Sequence, residues 1–382
     1  MTTETKVELR KGLRDVHFDR TETSYIDGKA GKLLYRGFNI HDLAEKSSFE
    51  ETSYLLLHGA LPTKSELGAF DAELRASRGL PTVVLDVIAA TKNAHPMDVM
   101  RTATSAMSAA DEGDITDLSR EPTLRRGTRL TAALPAIVAA HHRLRTGQEP
   151  VPPDSRLPHA ANFLNMLFGE PPRDDDAKLI DKDFVLHAEH GVNASTFGAR
   201  VAASTGADYY ATITAAISVL KGPKHGGAAE GVMKMAQEIG SVENAKAYVD
   251  DLLAGGGRVM GFGHPVYKTT DPRSVHMKAE ARALADRMDQ PKWFAILQAV
   301  TETEALKKRA RLGTNPNVDF WAGAVYSLLG IPDDLFIPLF AIGRMPGWTA
   351  HVLEQYSKRD LLRPRLLYSG EHDREYVPVD DR

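Results

Sequence analysis

Apolar positions recur along most of this chain at helical spacing, with one early exception. Ser24 to Ile26 and Leu33 to Tyr35 flank a turn-rich Asp27-Gly28-Lys29-Ala30-Gly31, which predicts a short β-hairpin, the one strand pair of note. Helical signals follow. Ser48 with Glu51, and Thr63 with Glu66, have the spacing at which side chains satisfy the free amides of a helix start, and both precede apolar residues. After the second pair, Leu67, Phe70 and Leu74 fall at the three- and four-residue steps of one buried face. Further helices are predicted over Ala160–Phe168, Phe184–Ser204, Ala228–Ile239 and Val275–Met288, divided by breaks containing Gly or Pro. Pro150–Asp154 reads as an exposed loop and Gly255-Gly256-Gly257 as a hinge or turn. Ser369–Arg382, charged and carrying Pro378, reads as an arm that packs on a partner. The expected fold class is all-α, with a minor amino-terminal β-hairpin.

At 382 residues the chain exceeds the size at which one hydrophobic core stops growing, so a large and a small domain with a cleft between them are expected. A composition of 42% hydrophobic and 26% charged residues, with a net charge of -4, is that of a soluble globular protein. Basic residues are interspersed with acidic ones, so no stripe suited to nucleic acid forms. Met1 to Lys11 is polar and mixed in charge, without an apolar run for a signal peptide or membrane span, and a cytoplasmic location is expected. Cysteine is absent, which excludes disulfides, thiolate-bound metals and a cysteine nucleophile.

Candidate chemistry concentrates in four segments of the second half. Gly222-Pro223-Lys224-His225-Gly226-Gly227 places His225 on a tight loop just before a helix from Ala228. A helix start disfavours imidazolium, and a neutral imidazole suits hydrogen bonding to a developing enolate oxygen; a helix-capping histidine is the alternative. Gly261-Phe262-Gly263-His264-Pro265-Val266-Tyr267-Lys268 lacks the third glycine of a dinucleotide fingerprint and reads as a ligand-lining loop or an ordinary turn. Its freed amides, with Arg258, Lys268 and Arg273 nearby, are suited to an anion. Val318, Ala322, Val325 and Leu329 trace one helix face with Asp319 in its first turn, where a carboxylate either complements the helix dipole or acts as a general base. Arg344 and Arg363 supply forks that match carboxylates, or surface ion pairs. His187 and His190 share a helical face, but His187-Ala188-Glu189-His190 fits no metalloprotease spacing, so a metal site is not expected.

Together these segments resemble the citrate synthase family over nearly the whole chain. The resemblance is carried by Tyr25-Ile26-Asp27-Gly28, Leu34-Tyr35-Arg36-Gly37, His95-Pro96-Met97-Asp98-Val99, Ala188-Glu189-His190 with Asn193-Ala194-Ser195-Thr196-Phe197, and Gly222 to Gly227. Gly261 to His264, Asp271-Pro272-Arg273 and Asn317-Val318-Asp319-Phe320 complete it. It implies an almost all-helical homodimer of the short type that includes 2-methylcitrate synthases. The large domain would be residues 1–225 and 327–382, the small domain 226–326, with the active site between them. By the same resemblance His225 hydrogen-bonds the acyl-CoA thioester oxygen, Asp319 removes its α-proton, and His264 polarises and protonates the oxo-acid carbonyl. His190, Arg273 and Arg344 bind the oxo acid. Arg363 reaches the neighbouring subunit's site. Arg258, Val259, Met260, Gly261 and Phe262 line the CoA. Oxaloacetate and acetyl-CoA, or propionyl-CoA, are the implied partners, with no metal or permanently bound cofactor. Asp319-Phe320-Trp321-Ala322-Gly323 departs from the Tyr-Ser that often follows Asp-Phe in the family, which suggests that Trp321 reshapes the acyl pocket.

Overall fold

A computed structural model describes residues 9–13 and 16–382; residues 1–8 of the polar amino-terminal stretch lie outside the described residues. Strands β1 (Ser24–Asp27) and β2 (Lys32–Tyr35) pair antiparallel with Ser24 opposite Tyr35 and Asp27 opposite Lys32. The Asp27 carboxylate accepts from the amides of Lys29 and Ala30, both at 2.9 Å, and so closes the turn. The hairpin is as expected, but a third strand, β3 (Phe38–Asn39), adds to β2 and makes the sheet three-stranded.

The rest is helical. The first group is α1 (Ile40–Lys46), α2 (Phe49–His58), α3 (Lys64–Ala76), α4 (Thr82–Ala90), α5 (Pro96–Ala106) and α6 (Arg120–Arg145). Next come α7 (His159–Phe168), α8 (Asp174–His187), α9 (Ala194–Ser204) and α10 (Tyr209–Leu220). Then follow α11 (Ala228–Ile239), α12 (Ala245–Ala254), α13 (Pro272–Arg287), α14 (Lys292–Glu302), α15 (Glu304–Arg311), α16 (Asp319–Leu328) and the long α17 (Phe336–Lys358). Thr63 and Glu66 form the full reciprocal cap of α3, whereas Ser48 only accepts from the Glu51 amide at the start of α2. Phe70 and Leu74 are buried and Leu67 is half-buried, as that face requires.

One expected helix is two. Phe184–Ser204 breaks between α8 and α9, because Gly191 turns the chain at φ 59° and the Asn193 side chain caps the Ser195 and Thr196 amides to start a new helix. His190 therefore sits in the break and not on a helical face shared with His187.

The interior is built around α6 and α17, which are buried on nearly all sides as central helices are. α17 packs on α6, α9, α8 and α2, while α11 to α16 pack largely on one another. α13 also touches α1 and α8, and α11 touches α17, so a single apolar core runs through both groups. Among the described residues, no helix is long and apolar enough to cross a membrane. Past α17 the chain is extended and exposed, with Leu366 98% and Tyr376 79% accessible.

Candidate active site

Four local devices bring the polar residues together. The break between α8 and α9 carries Glu189 and His190, which lie against α17: buried His351 Nε2 is 3.0 Å from the Glu189 carboxylate, which also accepts from Ser24 Oγ at 2.9 Å. The His225 loop ends α10 and leads to the Gly227 cap of α11. The Gly261–His264 loop is tied to the segment before α16. Gly263 N donates to Asn315 O at 2.8 Å and Asn317 N to Gly261 O at 2.9 Å, so His264 and Asp319 are held by one short bridge. Finally, Asp271 caps α13 and places Arg273 in its first turn. The Gly263 amide is thus occupied and is not one of the free donors expected from the glycines.

The protonation states follow from these partners. The Ser195 amide donates to His225 Nε2 at 3.2 Å, and Ser195 Oγ lies 2.8 Å from the same nitrogen. An acceptor Nε2 places the proton of the neutral ring on Nδ1. Burial, assisted by the positive charge of Arg344, lowers the His225 pKa to about 4. In His264 the amides of Val266 and Tyr267 donate to Nδ1 at 3.0 and 3.2 Å, which leaves Nε2 as the donor. Burial and then Arg273 lower its pKa to about 4 as well. His190 is held well below its ordinary range by burial and the Arg273 charge, and its Nε2 meets Tyr267 Oη at 3.0 Å. The rings of His190 and His264 are 5.0 Å apart, and that of Tyr267 lies 4.8 Å from His264.

Two buried guanidiniums face these rings. Arg273 is paired with Asp271 through Nη2 at 2.7 Å and Nε at 3.0 Å, and although burial alone would lower its pKa, the carboxylate raises it. Arg344 donates through Nε to the His187 carbonyl at 2.6 Å and lies 4.5 Å from the Phe340 ring centroid. Burial lowers Arg344 to about 10. Partly buried Asp319 opens α16, and burial raises its pKa although His187, Arg273 and Arg344 oppose the rise. Phe340 joins the two halves: its ring is 5.0 Å from that of His187 and 6.4 Å from that of His225.

Beside His264 opens a cavity of about 410 Å³ lined in part by Arg258, Val259, Phe262, Lys268 and Arg309. Met260 lies instead against Gly231 of α11, and Gly261 is pressed on Val232 and Phe320. The structure thus joins His190, His264, Arg273, Arg344 and Asp319, with His225 linked through Arg344 and Phe340. Arg363 stands apart, exposed on the segment past α17. Glu189, Ser195, Tyr267, Phe340, His351 and Arg309 are added by the fold. Glu189 and Ser195 lie inside quoted motifs, but Arg309 offered no signal beyond the basic run Lys307-Lys308-Arg309. Trp321 packs 5.4 Å from Phe294 and 5.1 Å from the Lys278 ammonium, two residues and so more than half a helical turn around from Asp319. It therefore lies on a different face of α16 from Asp319. Among the described residues, no group of three or more His, Asp or Glu is placed to hold a metal ion.

Two neutral donor imidazoles, a carboxylate with a raised pKa and buried cations are the groups suited to moving a proton at carbon next to a carbonyl. Residues 12–365 match the family model described as citrate synthase, C-terminal domain. A citrate synthase of Haloferax volcanii is 46% identical, covering 98% of this chain and 99% of its own. 2-Methylcitrate synthase 2 of Corynebacterium glutamicum is 43% identical with both chains covered in full. The ternary complex of the Thermoplasma acidophilum citrate synthase with carboxymethyl coenzyme A and oxaloacetate has a TM-score of 0.91 at 32% identity, covering 98% of this chain and all of that one. The chain belongs to the citrate synthase family and is an acyltransferase.

Proposed function

We propose that this enzyme condenses acetyl-CoA with oxaloacetate and hydrolyses the resulting citryl thioester to citrate and CoA. The observation that carries the reading is that two imidazoles are held neutral, His225 with its proton on Nδ1 and His264 with its proton on Nε2, each near a buried guanidinium, Arg344 or Arg273, whose charge also acts on Asp319. Asp319 takes the thioester α-proton while His225 donates to the thioester oxygen, so that charge builds on an oxygen that already has a donor. The enolate carbon attacks the oxo-acid ketone, and His264 donates to the ketone oxygen. His190, Arg273 and Arg344 hold the oxo acid. The Arg258–Phe262 segment carries the CoA, with Lys268 and Arg309 as further phosphate partners. Acyl-CoA is a substrate, and no resident cofactor or metal enters this scheme.

The small domain in this reading is residues 226–326, closing on the large domain of residues 1–225 and 327–382 to exclude water. The enzyme works as a cytoplasmic homodimer. The exposed segment past α17, with the apolar Leu366 and Tyr376 open to solvent, fits a second copy and would carry Arg363 to the neighbouring site. A second reading, 2-methylcitrate synthesis from propionyl-CoA, has support in a relative of that name. One methylene discriminates by only about 1–3 kcal/mol, so one site can serve both donors.

Free CoA is followed with a thiol reagent, offering oxaloacetate with acetyl-CoA and, separately, propionyl-CoA. The protein has no cysteine and adds no background. Oxaloacetate-dependent release with either donor supports the synthase reading, and the ratio of kcat/KM values ranks the donors. No release with both overturns it. Asp319→Asn is expected to abolish turnover while retaining oxaloacetate binding; unchanged turnover overturns the role of Asp319.

A further inference from the structure

α13 has one polar stripe that the reaction scheme leaves unused. His276, Glu280 and Arg287 follow Arg273 at steps of three, four and seven, which puts all four within about 60° of one another around the helix. Each outer member of the stripe has a partner on α1 or α8. His276 Nε2 is 2.8 Å from His41 Nδ1 of α1. Glu280 pairs with Lys182 of α8, and Arg287 with Asp176 and, at 3.4 Å, Asp175 at the start of α8. The Lys182–Glu280 side chains are only 28% and 25% accessible, so solvent screens them less than a surface pair. These contacts cross between the two groups of helices, on the helix whose first turn aims Arg273 into the site.

We infer that this stripe is a staple that positions Arg273 for its oxo-acid carboxylate, making Lys182, Glu280, Arg287 and Asp176 positioning residues. The inference rests on the proposed function above, in which the oxo acid binds between α13 and the large domain. Physically, an Arg on a helix that can rock presents its fork in many orientations, and the staple, made where the small domain rests on the large one, restricts the rocking at three points along the helix. The direct bond from Arg273 to Asp271 fixes the side chain to its own helix but does not fix that helix to the large domain.

The test is oxaloacetate affinity by calorimetry together with steady-state kinetics on the full chain. Lys182→Ala and Glu280→Ala are each expected to weaken oxaloacetate binding and raise its KM about two- to fivefold, with kcat within about twofold. Loss of Lys182–Glu280 and Arg287–Asp176 together is expected to reach about tenfold. The exchanged pair Lys182→Glu with Glu280→Lys restores affinity to within about twofold of the parent. That rescue, and a change in KM without a matching change in kcat, would not follow from a merely structural role. Unchanged affinity in the single variants, an exchanged pair as weak as the singles, or a lower Tm with KM and kcat unmoved overturns the staple. A parent protein that binds no oxaloacetate fails the functional reading instead.

Discussion

The Ser195 amide and the His225 ring are joined at 3.2 Å, and this one bond decides which nitrogen of His225 can serve a substrate. With Nε2 accepting, only Nδ1–H is left to donate, and burial keeps the ring from taking a second proton near neutral pH. Asn193 sets this up, since its side chain starts α9 and orients the Ser195 amide and hydroxyl. Removing the ring by His225→Ala should lower kcat about 100- to 1000-fold, the usual effect of losing one donor to a developing oxyanion. Ser195→Ala keeps the amide donor and should cost far less, within about tenfold. CoA release at saturating substrates checks both, and equal losses would show that the hydroxyl, not the amide, sets the tautomer.

Acid should destabilise the protein before ordinary carboxylates titrate. His225 and His264 have folded pKa values of about 4 and His159 of about 3, against 6.5 when exposed, and His190 is also well below 6.5. Between these limits the unfolded chain binds more protons than the folded one, so stability is full above about pH 6.5 and falls as pH drops toward 4. Two partly buried carboxyls oppose the trend most. Asp181 is raised to about 7 by burial and by Glu50, and Asp319 is raised by burial, so each takes a proton on the folded side first. The imidazoles outnumber the raised carboxyls, since burial also lowers His58, His141, His142 and His276 and adds only Glu73 to the raised carboxyls, and each proton of difference is worth about 1.4 kcal/mol per pH unit. The expected result is a Tm several degrees lower at pH 5 than at pH 7 in thermal scans. Asp181→Asn should steepen the fall by removing one opposing group, and a Tm that rises toward pH 5 would contradict the balance.

What the sequence made legible was mostly local. α11 ends at Gly240 as its pattern requires, and Thr63 with Glu66 caps α3. The error over Phe184–Ser204 was of another kind. Apolar periodicity continues through Ala188, and the chain leaves the helix there for the Gly191 turn and the Asn193 cap, with Glu189 seated against His351 of α17. Arg309 and Phe340 were invisible for a related reason. Their roles depend on what packs opposite them, Arg258 and Lys268 across a cavity for one and three site side chains for the other. Tyr267, four residues before Asp271, enters the site through its hydroxyl on His190, a pairing across 77 positions that no spacing reveals.

Gly28 is expected to act on catalysis from outside the site. It lies in the β1–β2 turn, where its carbonyl accepts from Lys268 N at 2.8 Å. A methyl group at this position would stand 2.1 Å from the Val266 carbonyl oxygen, which is backbone and can yield only by moving the loop. That loop begins at His264, whose Nδ1 is held by the Val266 and Tyr267 amides. Overpacking of this kind costs about 1–3 kcal/mol. If it falls on the orientation of His264, Gly28→Ala should lower kcat roughly 10- to 100-fold. Tm should change little, because the neighbouring turn residues Lys29 and Ala30 are exposed. A variant with normal kcat would show that the hairpin and the His264 loop move independently.

Trp321 should govern stability and leave donor choice alone. The Trp321-Ala322 that follows Asp319-Phe320 invites the view that the indole resizes the acyl pocket. Yet the ring is 2% exposed, packs on Phe294 of α14 and under the Lys278 ammonium of α13, and meets Phe320 edge-on at 5.0 Å. Phe294 and Lys278 belong to α14 and α13, and Trp321 lies on a different face of α16 from Asp319. Truncating a buried Trp leaves a large void, so Trp321→Ala should destabilise by about 3–5 kcal/mol. A milder Trp321→Tyr keeps most of the packing and should remain assayable if the alanine variant does not fold. In that variant the ratio of kcat/KM for acetyl-CoA to that for propionyl-CoA should stay within about twofold of the parent, since no atom near the acyl group has moved. A ratio shifted about tenfold would place the indole in contact with the acyl chain during turnover, through a rearrangement of α16 on closure.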